Sequence, residues 1–309
     1  MREFTPGVHK LVKHLEHLQK MKAGEVVAPI HVSIWPTIRC NLKCSYCCCK
    51  NTERNSPDLD FEIYKRAVDV LSKYGTKAIE ISGGGEPLLW KDFSRAVDYT
   101  VDKGIKVSLI TNGVYLDRVP KETLRKTSWV RISMQSADHV RAINRAHLKG
   151  IKLSGSFIVS DNTDRVQEMI EVAEFCNDNR ITLRVAVERP CDDDFEKSIK
   201  YIVSQINSPF VFFSDKEHGT PDGCYMAWIR AAIDWEGDFL PCPSMHLSEE
   251  YRGYIPEKFR LCHVDGLEEW LNANRVHDMG FRCSTCNCGK ENNDFFHKVI
   301  THVPDEEFV

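Results

Sequence analysis

Apolar positions along this chain follow two periods in alternation. Short extended runs stand at residues 31–36, 77–82, 105–110, 129–134, 152–159 and 181–187. Between them the spacing turns helical. Residues 60–74 place Phe61, Tyr64, Ala67, Val68, Leu71 and Tyr74 on one face, and residues 164–179 turn Val166, Met169, Ile170, Val172, Ala173 and Cys176 inward. Strand alternating with helix predicts parallel βαβ units. Six units predict an α/β fold, a partial (β/α)6 TIM-like barrel, with chemistry at the C-terminal ends of its strands. Residues 193–207 read as the last helix of the series and 210–213 as a short extra strand.

The flanks differ from this repeat. Residues 3–24 carry Val8, Leu11, Val12, Leu15 and Leu18 at helical spacing, and His9, His14 and His17 on that helix are expected at the surface. From about residue 214 the alternation stops and cysteines return. The expected organisation is an N-terminal helix in 1–29, the barrel in 30–215, a small β-hairpin and helix domain in 216–290, and a tail in 291–309.

Composition narrows the class. The chain has 309 residues, 42% hydrophobic and 28% charged, with a formal net charge of −4. That balance argues against a protein that grips nucleic acid by its phosphates. The start lacks a charged-then-apolar signal pattern, and no apolar run approaches the ~20 residues of a membrane-spanning helix. A cytoplasmic protein with no membrane partner is expected. In such a chain the thirteen cysteines read as metal ligands rather than disulfides.

Three of them carry the strongest signal. Cys40, Cys44 and Cys47 stand at CxxxCxxC spacing directly after the first strand. Three thiolates are one short of the usual four of a [4Fe–4S] cluster, which leaves one iron open. Half of a zinc site, completed by Cys48 or Cys49, uses the same thiols. One strand later comes Ser82-Gly83-Gly84-Gly85-Glu86-Pro87, where bare glycine backbone can approach a ligand beside a carboxylate. Together these two motifs resemble the radical S-adenosylmethionine (radical SAM) superfamily. The resemblance implies that SAM chelates the open iron and is cleaved reductively to a 5′-deoxyadenosyl radical that takes a hydrogen atom from substrate. It also implies that Gly84, Gly85 and Glu86 hold the SAM amino group and that Tyr46 lies beside the adenine. Asn112 falls where the family has a similar turn. Ser133 matches a polar residue that contacts SAM's ribose or carboxylate, and Arg145 matches the arginine that pairs with the carboxylate. Gln135 replaces the family's acid on that strand.

A second cysteine group lies near the C-terminus. Cys224 is followed by twelve residues, Gly237, four residues and Cys242, and then by Cys283 and Cys286. The stretch between Cys224 and Cys242 reads as a hairpin turning at Glu236-Gly237, which brings its flanking cysteines together. The spacing resembles the SPASM domain of radical SAM enzymes in its shortened twitch form. That implies an auxiliary [4Fe–4S] cluster on Cys224, Cys242, Cys283 and Cys286. A zinc ribbon would use the same four thiols, and Cys262 or Cys288 can replace one of them. Twitch-bearing radical SAM dehydrogenases share this layout. The resemblance therefore implies a net oxidation of a small-molecule or peptide substrate with the second cluster as electron acceptor. It further implies an electron donor such as flavodoxin or ferredoxin. Peptide maturation and redox-neutral isomerisation or epimerisation are the competing reactions. Glu188 and Arg189, past the sixth strand, are candidates for the catalytic base.

Overall fold

The structure, a computed structural model, describes residues 7–49, 54–144, 147–161, 163–188, 191–215, 219–244, 257–283, 286 and 289–300. The six extended runs form strands β1 (His31–Ile34), β2 (Ala78–Ile81), β3 (Lys106–Thr111), β4 (Val130–Ser133), β5 (Leu153–Val159) and β6 (Thr182–Val187). They pair in chain order, all parallel. Val211–Phe213 adds a parallel β7 beside β6.

Each crossover helix is set by its amphipathic stripe. Phe61–Lys73 begins on Asp60, whose carboxylate accepts from the Glu62 N–H at 2.7 Å, an N-cap contact typically worth ~1 kcal/mol. It buries Phe61, Tyr64, Ala67, Val68 and Leu71, five of the six residues the spacing selected, and Tyr74 at its C-cap is half-buried. They pack on the outer strand face of Val32, Ile34, Ile79 and Ile81 within one continuous core. Each such aliphatic side chain stabilises the fold by ~1.5–3 kcal/mol. The helices Thr163–Asp178 and Asp193–Gln205 cover β5 and β6 in the same way.

The sheet extends beyond the six expected units. Strand β8 (Arg230–Ile233) runs parallel beside β1, with His31 opposite Arg230 and Ile34 opposite Ile233. Strand β9 (Asp238–Leu240) returns antiparallel to it, and β10 (Cys262–His263) completes an open order β10-β9-β8-β1-β2-β3-β4-β5-β6-β7. The C-terminal hairpin thus continues the barrel sheet. Its turn is an Asx-type turn: Asp234 Oδ1 accepts from the N–H groups of Glu236 (3.0 Å) and Asp238 (2.9 Å), and Gly237 takes φ 87°. Among the described residues no helix is long and apolar enough to cross a membrane.

One expectation is corrected. His9 is exposed and His14 half-buried, but His17 is only 5% exposed, and its Nε2 lies 3.0 Å from the Ala28 carbonyl. Its helix, Leu15–Lys22, is packed against Tyr225, Trp228 and Phe296 as well as its own neighbours. Two buried sides leave less polar face than an isolated amphipathic helix has. Burial pushes the His17 pKa down to about 4. The unfolded chain takes up this proton near pH 6.5, whereas the folded chain takes it up only near 4. Stability from the neutral ring is therefore complete above about 6.5 and falls between 6.5 and 4, by ~2–3 kcal/mol. Urea unfolding at pH 7.5 and pH 5 is expected to show a smaller acid loss for His17→Gln than for the wild-type chain. Equal losses would contradict this.

Candidate active site

The first cysteine loop leaves β1 and is clamped to the glycine loop that leaves β2. The Gly85 N–H donates to Thr37 O (3.0 Å) and the Glu86 N–H to Arg39 O (2.8 Å). A Cβ on Gly85 would lie 2.0 Å from Arg39 O, and one on Gly84 would lie 2.4 Å from Ile38 Cδ1. Gly85 is therefore required by backbone approach between the two loops, whereas a side chain at Gly84 would press on the Ile38 and Trp235 side chains.

Glu86 is 1% exposed, and burial pushes its carboxyl pKa up. It accepts from Thr111 Oγ1 (2.6 Å), the Asn112 N–H (2.7 Å) and the Leu88 N–H (3.0 Å). Its carboxylate thus fixes the end of β3 to the glycine loop. Asn112 then reaches back, its Nδ2 donating to Asn41 Oδ1 at 2.8 Å and lying 4.0 Å from Cys40 Sγ.

The thiols meet polar groups from several strand ends. Cys44 Sγ donates to Gln135 Oε1 (3.4 Å), and Arg54 donates to Cys47 Sγ (3.5 Å). The loop is closed by the Cys47 N–H donating to Cys44 O at 3.2 Å. Burial pushes the Cys44 and Cys47 thiols up. Metal ligation needs the thiolates, and the Arg54 cation favours that form at Cys47. Three thiols on one loop, the last two closed by a turn, fit a cluster that leaves one iron open.

Opposite them, Tyr46 donates through its hydroxyl to Gln135 Oε1. Gln135 Nε2 donates to Ser133 O (3.2 Å), so Tyr46, Ser133 and Gln135 share one corner past β4. Arg165 closes that corner. Its guanidinium donates to Gln135 O (2.5 Å), Ile158 O (2.8 Å) and Glu168 (2.5 Å), and stands 5.1 Å from the Tyr46 ring centroid. Neither Arg165 nor Arg54 was legible as a site residue from sequence. The structure places Glu188 one residue past β6, with its N–H donating to Val159 O at 2.8 Å. Arg145 and Arg189 lie outside the described residues, as does Cys288.

The C-terminal thiols form a second group. Asp278 holds Cys224 in place by accepting its N–H at 2.9 Å. The Cys286 N–H donates to Gly219 O (3.3 Å), with Asn293 Nδ2 lying 3.9 Å from its sulfur. Burial pushes the Cys224 thiol up to about 12, and the Cys286 and Cys283 charges add to that. Burial also raises Cys242 well above the usual range, with Cys224, Cys286 and Cys283 contributing. Four thiols that repel one another as thiolates suit a shared metal centre, and an all-sulfur set takes Fe–S or zinc. Cys262 is pushed up to about 12 by burial and then by Asp238, not by these thiols. Cys176 is buried, its thiol 3.5 Å from Met134 Sδ.

The two thiol groups share a border. Cys47, Cys48 and Cys242 all pack against one apolar cluster that includes Trp35, Ile38, Ala232, Trp235, Leu240 and Phe259. A cavity of about 1310 Å³ opens beside it, with Cys48, Gly83 and Pro243 in its walls.

Known proteins are similar to this chain in sequence or in fold. A probable GTP 3',8-cyclase of Methanocaldococcus jannaschii is 27% identical over 274 residues, 76% of this chain and 86% of that protein. An S-adenosylmethionine-dependent nucleotide dehydratase of Selenomonas ruminantium is 34% identical over 108 residues, which cover 34% of this chain and 39% of that protein. Streptococcus suis SuiB bound to precursor peptide SuiA has a similar fold, with TM-score 0.60 at 18% identity over 84% of this chain and 69% of that one. The family model for the radical SAM superfamily matches residues 34–202, more than half of the chain. The chain therefore belongs to the radical SAM superfamily, and so binds a [4Fe–4S] cluster and S-adenosylmethionine.

Proposed function

We propose that this enzyme performs a net oxidation of a small organic substrate. In this reading Cys40, Cys44 and Cys47 hold the first cluster. Cys224, Cys242, Cys283 and Cys286 hold an auxiliary [4Fe–4S] cluster. When bound, these groups supply one-electron cleavage of SAM to methionine and a 5′-deoxyadenosyl radical, hydrogen-atom abstraction by that radical, and an acceptor for the electron the substrate radical releases along with a proton. The chain's own residues position and exclude. The backbone of Gly84 and Gly85 allows close approach, while Glu86 and Asn112 tie the strand ends together. Tyr46, Ser133, Gln135, Arg165 and Arg145 are assigned to the SAM side, and Glu188 and Arg189 to proton transfer at the barrel mouth.

The observation that carries this reading is the apolar cluster bordered by both thiol groups, with a cavity alongside it. Apolar packing between two redox centres keeps water from the substrate radical and gives its electron a near acceptor. A flavodoxin or ferredoxin is the proposed source of the first electron. Peptide modification is the second reading, supported by the precursor peptide named with SuiB.

Electron counting separates the reactions. An oxidation returns one electron for each electron spent on SAM. With reductant limiting and a panel of nucleotides, aminocyclitols and short peptides, 5′-deoxyadenosine formed per electron supplied is expected to exceed one for the true substrate. A ratio of one or below with substrate conversion would refute the oxidation and leave redox-neutral chemistry.

A further inference from the structure

The inner face of the barrel is strongly cationic although the chain carries net charge −4. Among the described residues, Arg131, Arg184 and Arg230 line the cavity of about 1310 Å³ together with five lysines, four of them exposed, and Glu80 is the carboxylate in its wall. Arg131, Arg184 and Arg230 come from the inward positions of β4, β6 and β8. Each alternates with apolar neighbours that face outward, such as Val130 and Ile132 around Arg131. Arg131 is 6% exposed and Arg230 pairs with Glu80 at 3.0 Å. Glu80 also accepts from Ser33 Oγ at 3.0 Å. Glu80 thus faces Arg230 and Arg131, Arg184 lines the same lumen, and residues such as Ser82, Ser108 and Ile110 form other parts of its wall. The same cavity reaches Cys48 and Gly83, next in sequence to the cluster ligand Cys47 and to Gly84. A ligand seated there would have one end at the radical chemistry and the other among the arginines.

We propose that this lumen binds the phosphate groups of a phosphorylated small-molecule substrate, with Arg131 and Arg184 as its main anchors. The inference rests on the radical SAM reading above and names its substrate class. Guanidinium forks match phosphate oxygens in pairs. The volume exceeds what a drug-sized ligand needs, ~300–1,000 Å³, so a nucleotide or sugar phosphate fits. Lys106 and Lys152, at the N-terminal ends of β3 and β5, are exposed at the far rim of the same cavity and extend the positive field outward.

The test is calorimetric binding of inorganic tripolyphosphate to the anaerobically reconstituted full chain at 50 and 200 mM salt. Reductive cleavage of SAM is measured on the same preparation. Saturable binding below ~1 mM is expected, weakening with salt. Arg131→Gln and Arg184→Gln are each expected to weaken it at least ~10-fold. If either variant melts early, Lys106→Gln and Lys152→Gln carry the test, with an expected ~2- to 3-fold loss each. Lys126→Gln, on a helix outside the cavity, is the control for general surface charge. Absence of binding in a preparation that cleaves SAM would overturn the phosphate pocket and leave the enzyme reading intact. So would equal binding by all variants, or capture of an acidic peptide that tripolyphosphate does not displace. A preparation that loads iron yet cleaves no SAM would instead sink the parent reading.

Discussion

Replacing Glu86 by alanine is expected to lower stability by about 3–5 kcal/mol and to abolish measurable SAM cleavage. Three donors, from Thr111, Asn112 and Leu88, converge on a carboxylate that is 1% exposed. Removing it leaves them without an acceptor in a site too tight for bulk water, at ~1–3 kcal/mol each with partial relaxation. That is a large part of the ~5–15 kcal/mol holding a typical domain together. The functional loss follows from position rather than contact. Asn112 and the glycine loop are held to the cysteine turn through Glu86, so the cluster loop loses its registration with β2 and β3. Glu86→Gln keeps one acceptor oxygen but turns its amide toward a backbone N–H, and about half the loss is expected. Thermal unfolding and 5′-deoxyadenosine formation check both variants. An alanine variant melting within a degree or two of wild type would contradict the structural role.

Much of the fold was legible because each strand and helix carried its own period. The helix Phe61–Lys73 buries the stripe its spacing marked, and the six runs end within a few residues of their expected limits. The partnership of β8 with β1 was not legible. It is a pairing between residues some two hundred positions apart, and nothing local in Arg230–Ile233 specifies a neighbour. His17 misled because its helix is covered on two sides, which a single-helix pattern does not reveal.

The candidate site divides the same way. The cysteine turn and the glycine loop announce themselves by residue type and spacing. The lumen charges left a fainter trace that sequence reasoning passed over. Ile79-Glu80-Ile81, Val130-Arg131-Ile132 and Leu183-Arg184-Val185 each set one charge between two apolar residues in a strand of a parallel sheet. Such strands are buried on both faces, so a charge there must point into the barrel and find a counter-charge or a ligand. Arg165 had no such marker, since an arginine near a helix start is ordinary; only the fold lays it over Tyr46.

The second large effect concerns the cysteines and bears on the central proposal, that one chain carries two clusters of different character. Cys40, Cys44 and Cys47 lie on one loop, whereas Cys283 and Cys286 help to push up the thiols of Cys224 and Cys242 at a separate place in the chain. Loss of the first set should empty one site, leave the other filled, and reduce SAM cleavage to background. The most direct measurement is iron and sulfide content after anaerobic reconstitution, for wild type and for the combined Cys40→Ala, Cys44→Ala and Cys47→Ala variant. The expected result is roughly eight irons per chain falling to roughly four, the content of two [4Fe–4S] clusters and of one. Roughly four irons falling to none, with zinc retained in both proteins, would contradict it. The C-terminal thiols would then be a structural zinc site, and the electron acceptor that the proposed oxidation requires would be missing.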